Sequence, residues 1–212
     1  LLIFSLARVA NEQEIEMKYR DLVLAATLSL VSGGVAAMGV EERVNTQCAT
    51  CHGPQGQAAS PIFPSLAGQN REYLAKQLQD FKAGRRKSET MGPQVASLPN
   101  DEIAALAAWF SERPAKQHRI ADEDLLAVGR YIYRKGNNWS GVPACADCHG
   151  ADAHGTTTLP RLAGQNSRYL LMQLKEFNQR TRTNDNAVMH LVASRLTEME
   201  AKAVADYLSQ LP

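Results

Sequence analysis

Cys48-Ala49-Thr50-Cys51-His52 and Cys145-Ala146-Asp147-Cys148-His149 decide how this 212-residue chain is read. The two copies stand 97 residues apart and use all four cysteines. In each copy two thiols are spaced to bond two vinyl groups, and the adjacent histidine stands where it can ligate iron. This is the attachment pattern of c-type haem. Two other readings of the cysteines exist, a pair of disulfides in an oxidising compartment and a zinc site. The separation of 94 positions from Cys51 to Cys145 exceeds zinc-ribbon spacing. Neither reading explains a histidine after both pairs.

The duplication extends past the motifs. Pro64-Ser65-Leu66-Ala67-Gly68-Gln69-Asn70 matches Pro160-Arg161-Leu162-Ala163-Gly164-Gln165-Asn166. Tyr73-Leu74, Gln77-Leu78 and Phe81 match Tyr169-Leu170, Gln173-Leu174 and Phe177. Arg86, Met91 and Trp109 match Arg182, Met189 and Tyr207. A repeat of this length means two similar domains and not a solenoid.

Each half reads as all-α. Asn70 and Asn166 stand at N-cap positions, followed by Leu74, Leu78, Phe81 and by Leu170, Leu174, Phe177 along one helical face. Asn100 precedes Asp101 and Glu102, acidic residues suited to a helix start. That helix carries Ile103, Leu106, Ala107 and Phe110 and ends before Pro114. A further helix starts at Asp122 and fades at Gly136, and Thr197-x-x-Glu200 is a capping box for the last helix. No segment alternates as a strand does. The expected organisation is a leader over 1–37, a first domain over 38–112, a linker over 113–122 and a second domain over 123–212.

Met17 to Ala37 has the form of a secretory signal: Lys18 and Arg20, an apolar run from Leu22 to Val31, then Val35-Ala36-Ala37 before Met38. The apolar run is shorter than the roughly 20 residues of a transmembrane helix. An uncleaved anchor is the other reading. Residues 1–16 precede the expected start methionine and receive no role. The net charge of +1 offers no basic surface for nucleic acid. Residues 38–112 carry 7 basic and 8 acidic side chains, and 113–212 carry 13 and 10, which reads as a mixed, solvated surface.

His52 and His149 are the expected proximal iron ligands, and the second axial ligand has to come from elsewhere in each domain. Met91 lies 39 residues beyond His52 and Met189 lies 40 beyond His149. These two methionines are the expected partners. Met172, inside an apolar helix, and Met199, in the first turn of the last helix, read as core or surface. Histidine–methionine ligation raises the potential and closes the sixth position, which points to electron transfer and away from catalysis. His118 in the linker reads as solvated, His154 as a loop residue and His190 as a spectator, because its counterpart is Gly92. Pro64 and Pro160 are candidates to offer a carbonyl to the proximal histidine. Arg86 and Arg182 read equally as propionate partners or as surface residues. Trp109 and Tyr207 read as core aromatics.

Taken together, the paired motifs, both Leu-Ala-Gly-Gln segments, Tyr-Leu-x-x-Gln-Leu-x-x-Phe and the late methionines resemble the dihaem cytochrome c4 family. The likeness runs from about residue 40 to 212. It implies two tandem class I cytochrome c domains, each wrapped around one covalently bound haem c and related by a pseudo-twofold. It also implies a periplasmic, sometimes membrane-associated carrier passing electrons from a cytochrome bc complex toward a terminal oxidase. One departure stands out: Met38 to Gln47 lacks the Gly-x-x-x-Tyr that Gly129 to Tyr133 supplies in the second half. Two rival functions remain. One is the dihaem electron-accepting subunit of a dehydrogenase, such as flavocytochrome sulfide dehydrogenase. The other is a dihaem enzyme such as a peroxidase or thiosulfate dehydrogenase, against which the matched methionines argue.

Overall fold

The helix that carries the first motif begins well before it. The computed structural model describes residues 39–118 and 123–212. The expected leader over 1–37, Met38 and the expected helix start at Asp122 lie outside the described residues. α1 (Val40–Arg43) runs through a π turn (Val44–Cys48) into α2 (Ala49–His52). Glu41 and Glu42 suit its positive end. Val44 is fully buried, and Arg43 reaches Glu102 at 2.8 Å. The π turn widens the helix at the first thiol, a distortion common at functional sites. Gly53 stops the run at φ +79°, where a Cβ would stand 2.4 Å from the Gln57 carbonyl oxygen.

α3 (Arg71–Lys82), α4 (Met91–Val95) and α5 (Asn100–Ser111) complete the first half. Leu74 of α3, Val95 of α4 and Ile103, Leu106 and Phe110 of α5 meet Val44 in one core. Leu78 and Phe81 flank it, as the helical spacing predicts. α5 starts one residue earlier than the sequence suggests: Pro99 holds the cap position and Asn100 is already helical. Proline fits there because its fixed φ is ready for the turn and its missing N–H costs nothing.

The second half repeats the plan with one addition. α6 (Glu123–Lys135) precedes α7 (Ala146–His149), α8 (Ser167–Asn178), α9 (Val188–Ala193) and α10 (Glu198–Ser209). α6 crosses α10 at Gly129, where a Cβ would stand 2.0 Å from the Ala203 carbonyl oxygen. Only backbone fits against backbone there. Ile132 and Tyr133 of α6 join Leu170 of α8 and Val204, Tyr207 and Leu208 of α10 in the second core. The Tyr133 hydroxyl donates to the Gly150 carbonyl at 2.5 Å and ties α6 to the exit of the motif. Thr197 and Glu200 cap α10 reciprocally, as expected. A loop clipped by an Asn137–Val142 bridge separates α6 from α7, and among the described residues no strand forms beyond it. The first half has no such loop, because α1 feeds straight into the motif.

The connector is less free than its composition suggests. His118 is half-buried and not solvated; its backbone N–H donates to the Ser209 carbonyl at 3.0 Å. The Lys116 carbonyl lies so close to Gly164 that a Cβ there would stand 2.3 Å away. Tyr207 is buried as expected, whereas Trp109 flanks its core under the Arg113 guanidinium, 4.1 Å from the ring centre.

The Gln-Asn repeat turns out to join the two halves. Gln165 Oε1 accepts from the Ser65 N–H and its Nε2 donates to the Ser65 carbonyl, both at 2.8 Å. Gln69 does the same to Arg161, at 2.7 and 2.8 Å. Asn70 and Asn166 hold the N-cap positions of α3 and α8, but neither side chain caps its helix. Asn70 Nδ2 instead donates to the Leu159 carbonyl at 2.7 Å, and Asn166 Nδ2 to the Phe63 carbonyl at 2.8 Å. Truncating either glutamine would strand a buried donor and acceptor, at about 1–3 kcal/mol per group.

Candidate haem-binding sites

Both motifs place their donors at the edge of a core. Cys48 packs against the first core and Cys145 against the second. No disulfide joins any of the four cysteines. Burial pushes the Cys48 thiol up against a smaller lowering by Arg43, and burial pushes Cys145 up to about 11. Before haem is attached, both are therefore protonated at neutral pH.

His52 and His149 are buried, and each turns Nδ1 to a proline carbonyl, Pro64 at 2.9 Å and Pro160 at 3.4 Å. A carbonyl can only accept, so Nδ1 carries the proton and Nε2 keeps its lone pair. Burial lowers the pKa of both rings and outweighs the proline contact, which keeps them neutral. The expected role of Pro64 and Pro160 is met at both sites.

The methionines sit on the short helices. Met91 opens α4, its N–H donating to Ser88 Oγ at 3.1 Å, and its side chain packs against the same core as Cys48. Gln47 of the motif helix donates to the Gln94 carbonyl at 3.1 Å, tying α4 to it. Met189 lies in the first turn of α9, its N–H donating to Asp185 Oδ2 at 2.6 Å. Asn186 and Ala187 reach it at φ +56° and +66°, a left-handed step that turns the chain into α9. His190 is held by Phe177, with Nδ1 3.0 Å from its carbonyl. Met172 and Met199 are 38% and 61% exposed, so Met172 is not a core residue despite its apolar helix.

Arg86 and Arg182 are buried, which removes the surface reading. They share one polar ring between the halves. Arg86 donates to Gln77 at 2.9 Å, Gln173 at 2.7 Å and the Tyr169 hydroxyl at 3.0 Å. Arg182 donates to Gln173 at 2.7 Å, Gln77 at 3.2 Å and the Tyr73 hydroxyl at 3.0 Å. Each guanidinium also lies over a phenylalanine, Phe81 or Phe177. The direct partners are neutral; the carboxylates of Glu176 and Asp80 lie close by. The ring was not legible in the sequence as an interface; the matched arginines were its only signal.

Beside the ring, the buried Asp80 receives Lys76 at 2.5 Å, Arg85 at 2.8 Å and Asn184 of the other half at 2.7 Å. Burial alone would raise its pKa, but the bonds from Lys76, Asn184 and Arg85 outweigh burial and lower it. A depressed folded pKa gives stability that is present above the unfolded value near 3.8 and lost as pH falls through the folded value. Denaturant titrations from pH 5 downward are therefore expected to show a loss that Asp80→Asn flattens. An unchanged slope in the variant would refute the assignment.

The residues fit two covalently held haems. Each half offers two thiols, a neutral imidazole with Nε2 free and a thioether on a helix packed nearby, and the buried cations suit propionate carboxylates.

The comparisons with known proteins agree. Residues 35–110 match the family model described as cytochrome c oxidase, cbb3-type, subunit III, and residues 129–212 match the model described as cytochrome c. Cytochrome c4 of Thiocapsa roseopersicina is 42% identical over 81% of this chain and 90% of its own length. A thiosulfate dehydrogenase electron acceptor of Stutzerimonas stutzeri is 38% identical over 77% of this chain and 78% of its own. The crystal structure of reduced recombinant cytochrome c4 from Pseudomonas stutzeri superposes with a TM-score of 0.77 at 34% identity, covering 82% of this chain and 97% of that one. With both halves built on the same donor set, the chain belongs to the cytochrome c4 family: an all-α electron-transfer protein of two class I cytochrome c domains, carrying two covalently bound haem c groups.

Proposed function

We propose that this cytochrome works in the periplasm as a shuttle between respiratory redox proteins, from a cytochrome bc complex toward a terminal oxidase. Its domains are 38–112 and 123–212, joined by 113–122. Cys48 and Cys51 bond one haem and Cys145 and Cys148 the other. His52 and Met91 would hold the iron of the first, and His149 and Met189 that of the second. The observation that carries this reading is the doubled donor set with Nδ1 engaged and Nε2 free in both halves. When bound, haem iron would supply a one-electron couple, whose potential histidine–methionine ligation would raise. The protein's part is to fix the imidazoles through Pro64 and Pro160, to exclude water with two cores, and to offset propionate charge with Arg86 and Arg182. Among the described residues no helix is long and apolar enough to cross a membrane.

The surroundings of the two sites differ. The histidine–proline contact is 2.9 Å in one and 3.4 Å in the other, and His190 adjoins Met189 where Gly92 adjoins Met91. Such contacts tune potential, so a redox titration is expected to resolve two one-electron steps. Fast reduction by a bc-type complex and fast oxidation by an oxidase support the shuttle. Rapid turnover of peroxide, thiosulfate or sulfide by the isolated chain would refute it. A second reading is favoured by the relative named as a thiosulfate dehydrogenase electron acceptor: this chain accepts electrons from a dehydrogenase, as flavocytochrome sulfide dehydrogenase subunits do. Stoichiometric co-purification with such an enzyme would select it.

A further inference from the structure

Exposed apolar side chains are divided unequally. Among the described residues the first half exposes one large hydrophobic residue, Ile62, and the second exposes eight. Four of the eight gather around the methionine segment of the second half. Val188 and Leu191 bracket Met189 on α9 and are 55% and 57% exposed. Met199 stands in the first turn of α10, and Trp139 on the loop before the second motif is 100% exposed.

Three hydrogen bonds fix these pieces beside one another. Arg195, at the turn after α9, donates to the Gly141 carbonyl of the tryptophan loop at 2.8 Å. Asn137 Nδ2 donates to Glu200, next to Met199, at 2.7 Å, and Asn137 Oδ1 accepts from the Trp139 N–H at 3.0 Å. The loop is therefore held in place with its indole in water. The repeat puts Thr90, Pro93 and Asp101 where the second half has Val188, Leu191 and Met199. Trp139 has no counterpart, because α1 runs into the first motif without a loop.

A solvated tryptophan among other exposed apolar groups gains nothing in the free protein. Once covered it can contribute about 150–250 Å² of contact area. The charges favour one kind of cover: Arg195, bonded to the tryptophan loop, and Lys135, four residues before Trp139, are exposed cations, and Glu198, next to Met199, is an exposed carboxylate. We infer that Trp139, Val188, Leu191 and Met199 form the surface on which the second half docks a redox protein whose contact face has an apolar centre and an acidic rim. This rests on the shuttle reading above and adds to it a direction: among the described residues the first half shows no such surface, so the partner that uses it meets the second haem.

The test is oxidation of the ascorbate-reduced, haem-loaded protein by a purified, detergent-solubilised terminal oxidase. The double variant Trp139→Ser, Leu191→Ser is expected to lower the second-order rate about tenfold or more, with Ile62→Ser within about twofold of wild type. Both midpoint potentials, the visible spectrum and the melting temperature stay unchanged, which separates docking from folding. The wild-type rate falls as ionic strength rises, as opposite rims require. An unaltered rate in the double variant overturns the inference, as does an equal loss in Ile62→Ser. So does Trp139-dependent binding to phosphatidylglycerol vesicles with an unaltered oxidase rate, which would assign the patch to a membrane. An oxidase that ignores the wild type refutes the shuttle and the docking surface together; an oxidase that accepts wild type and double variant alike refutes the surface alone.

Discussion

Met91→Ala is expected to open the first haem while leaving the second closed. Ferric wild-type protein should show the weak far-red charge-transfer band of methionine–iron ligation, and the variant should keep about half of it. Its ferrous form should bind one carbon monoxide per chain. The potential of one step should fall, because a neutral soft ligand favours ferrous iron and its loss removes that preference. The effect is large because nothing nearby replaces the thioether: Gly92 follows Met91, and Ser88 is committed to the Met91 N–H. Met172→Ala and Met199→Ala should leave band and coordination intact, since both side chains are at the surface. Ready binding of carbon monoxide at both haems of the wild type would defeat the ligand assignment, as would a full band in Met91→Ala.

Gly129→Ala is expected to force apart helices α6 and α10 of the second half. The new Cβ would stand 2.0 Å from the Ala203 carbonyl oxygen and 2.8 Å from the Tyr207 Cβ. Those are backbone and helix-fixed atoms, so α6 and α10 must separate. Separation loosens Tyr133 and Tyr207, which build the core and whose rings stand 5.8 Å apart. The cost should be about 3 kcal/mol, the upper part of the range for overpacking. Chemical denaturation followed at the haem absorption of the second half would measure it. A loss under about 0.5 kcal/mol, the scale of an ordinary surface substitution, would show that the crossing is softer than its geometry implies.

The cofactor was legible in ten residues, because a haem bonded through two thiols and one imidazole needs them at fixed spacing on one short turn. The helices were legible too, since Leu74, Leu78 and Phe81 and their partners recur at the period of a buried face. The Pro64 and Pro160 contacts followed from the repeat, because both prolines keep their distance from the motif.

Other features depended on which surfaces the fold brings together. Asn70 and Asn166 have the chemistry of caps, and a local reading makes them caps. In the folded chain two carbonyls of the opposite half compete for each side chain and win, because those carbonyls need a donor in the interface. Arg86 and Arg182 look alike whether solvated or buried; only packing α3 against α8 places both in one ring with Gln77 and Gln173. His118 reads as a solvated linker residue, yet the connector lies along Gly164 and Ser209 because backbone can approach a glycine closely. The sequence by itself determined the haem chemistry and the two helical domains, which rest on short-range spacing. The tertiary structure decided how the halves share their polar groups and which half exposes its apolar face, since those depend on contacts about a hundred residues apart.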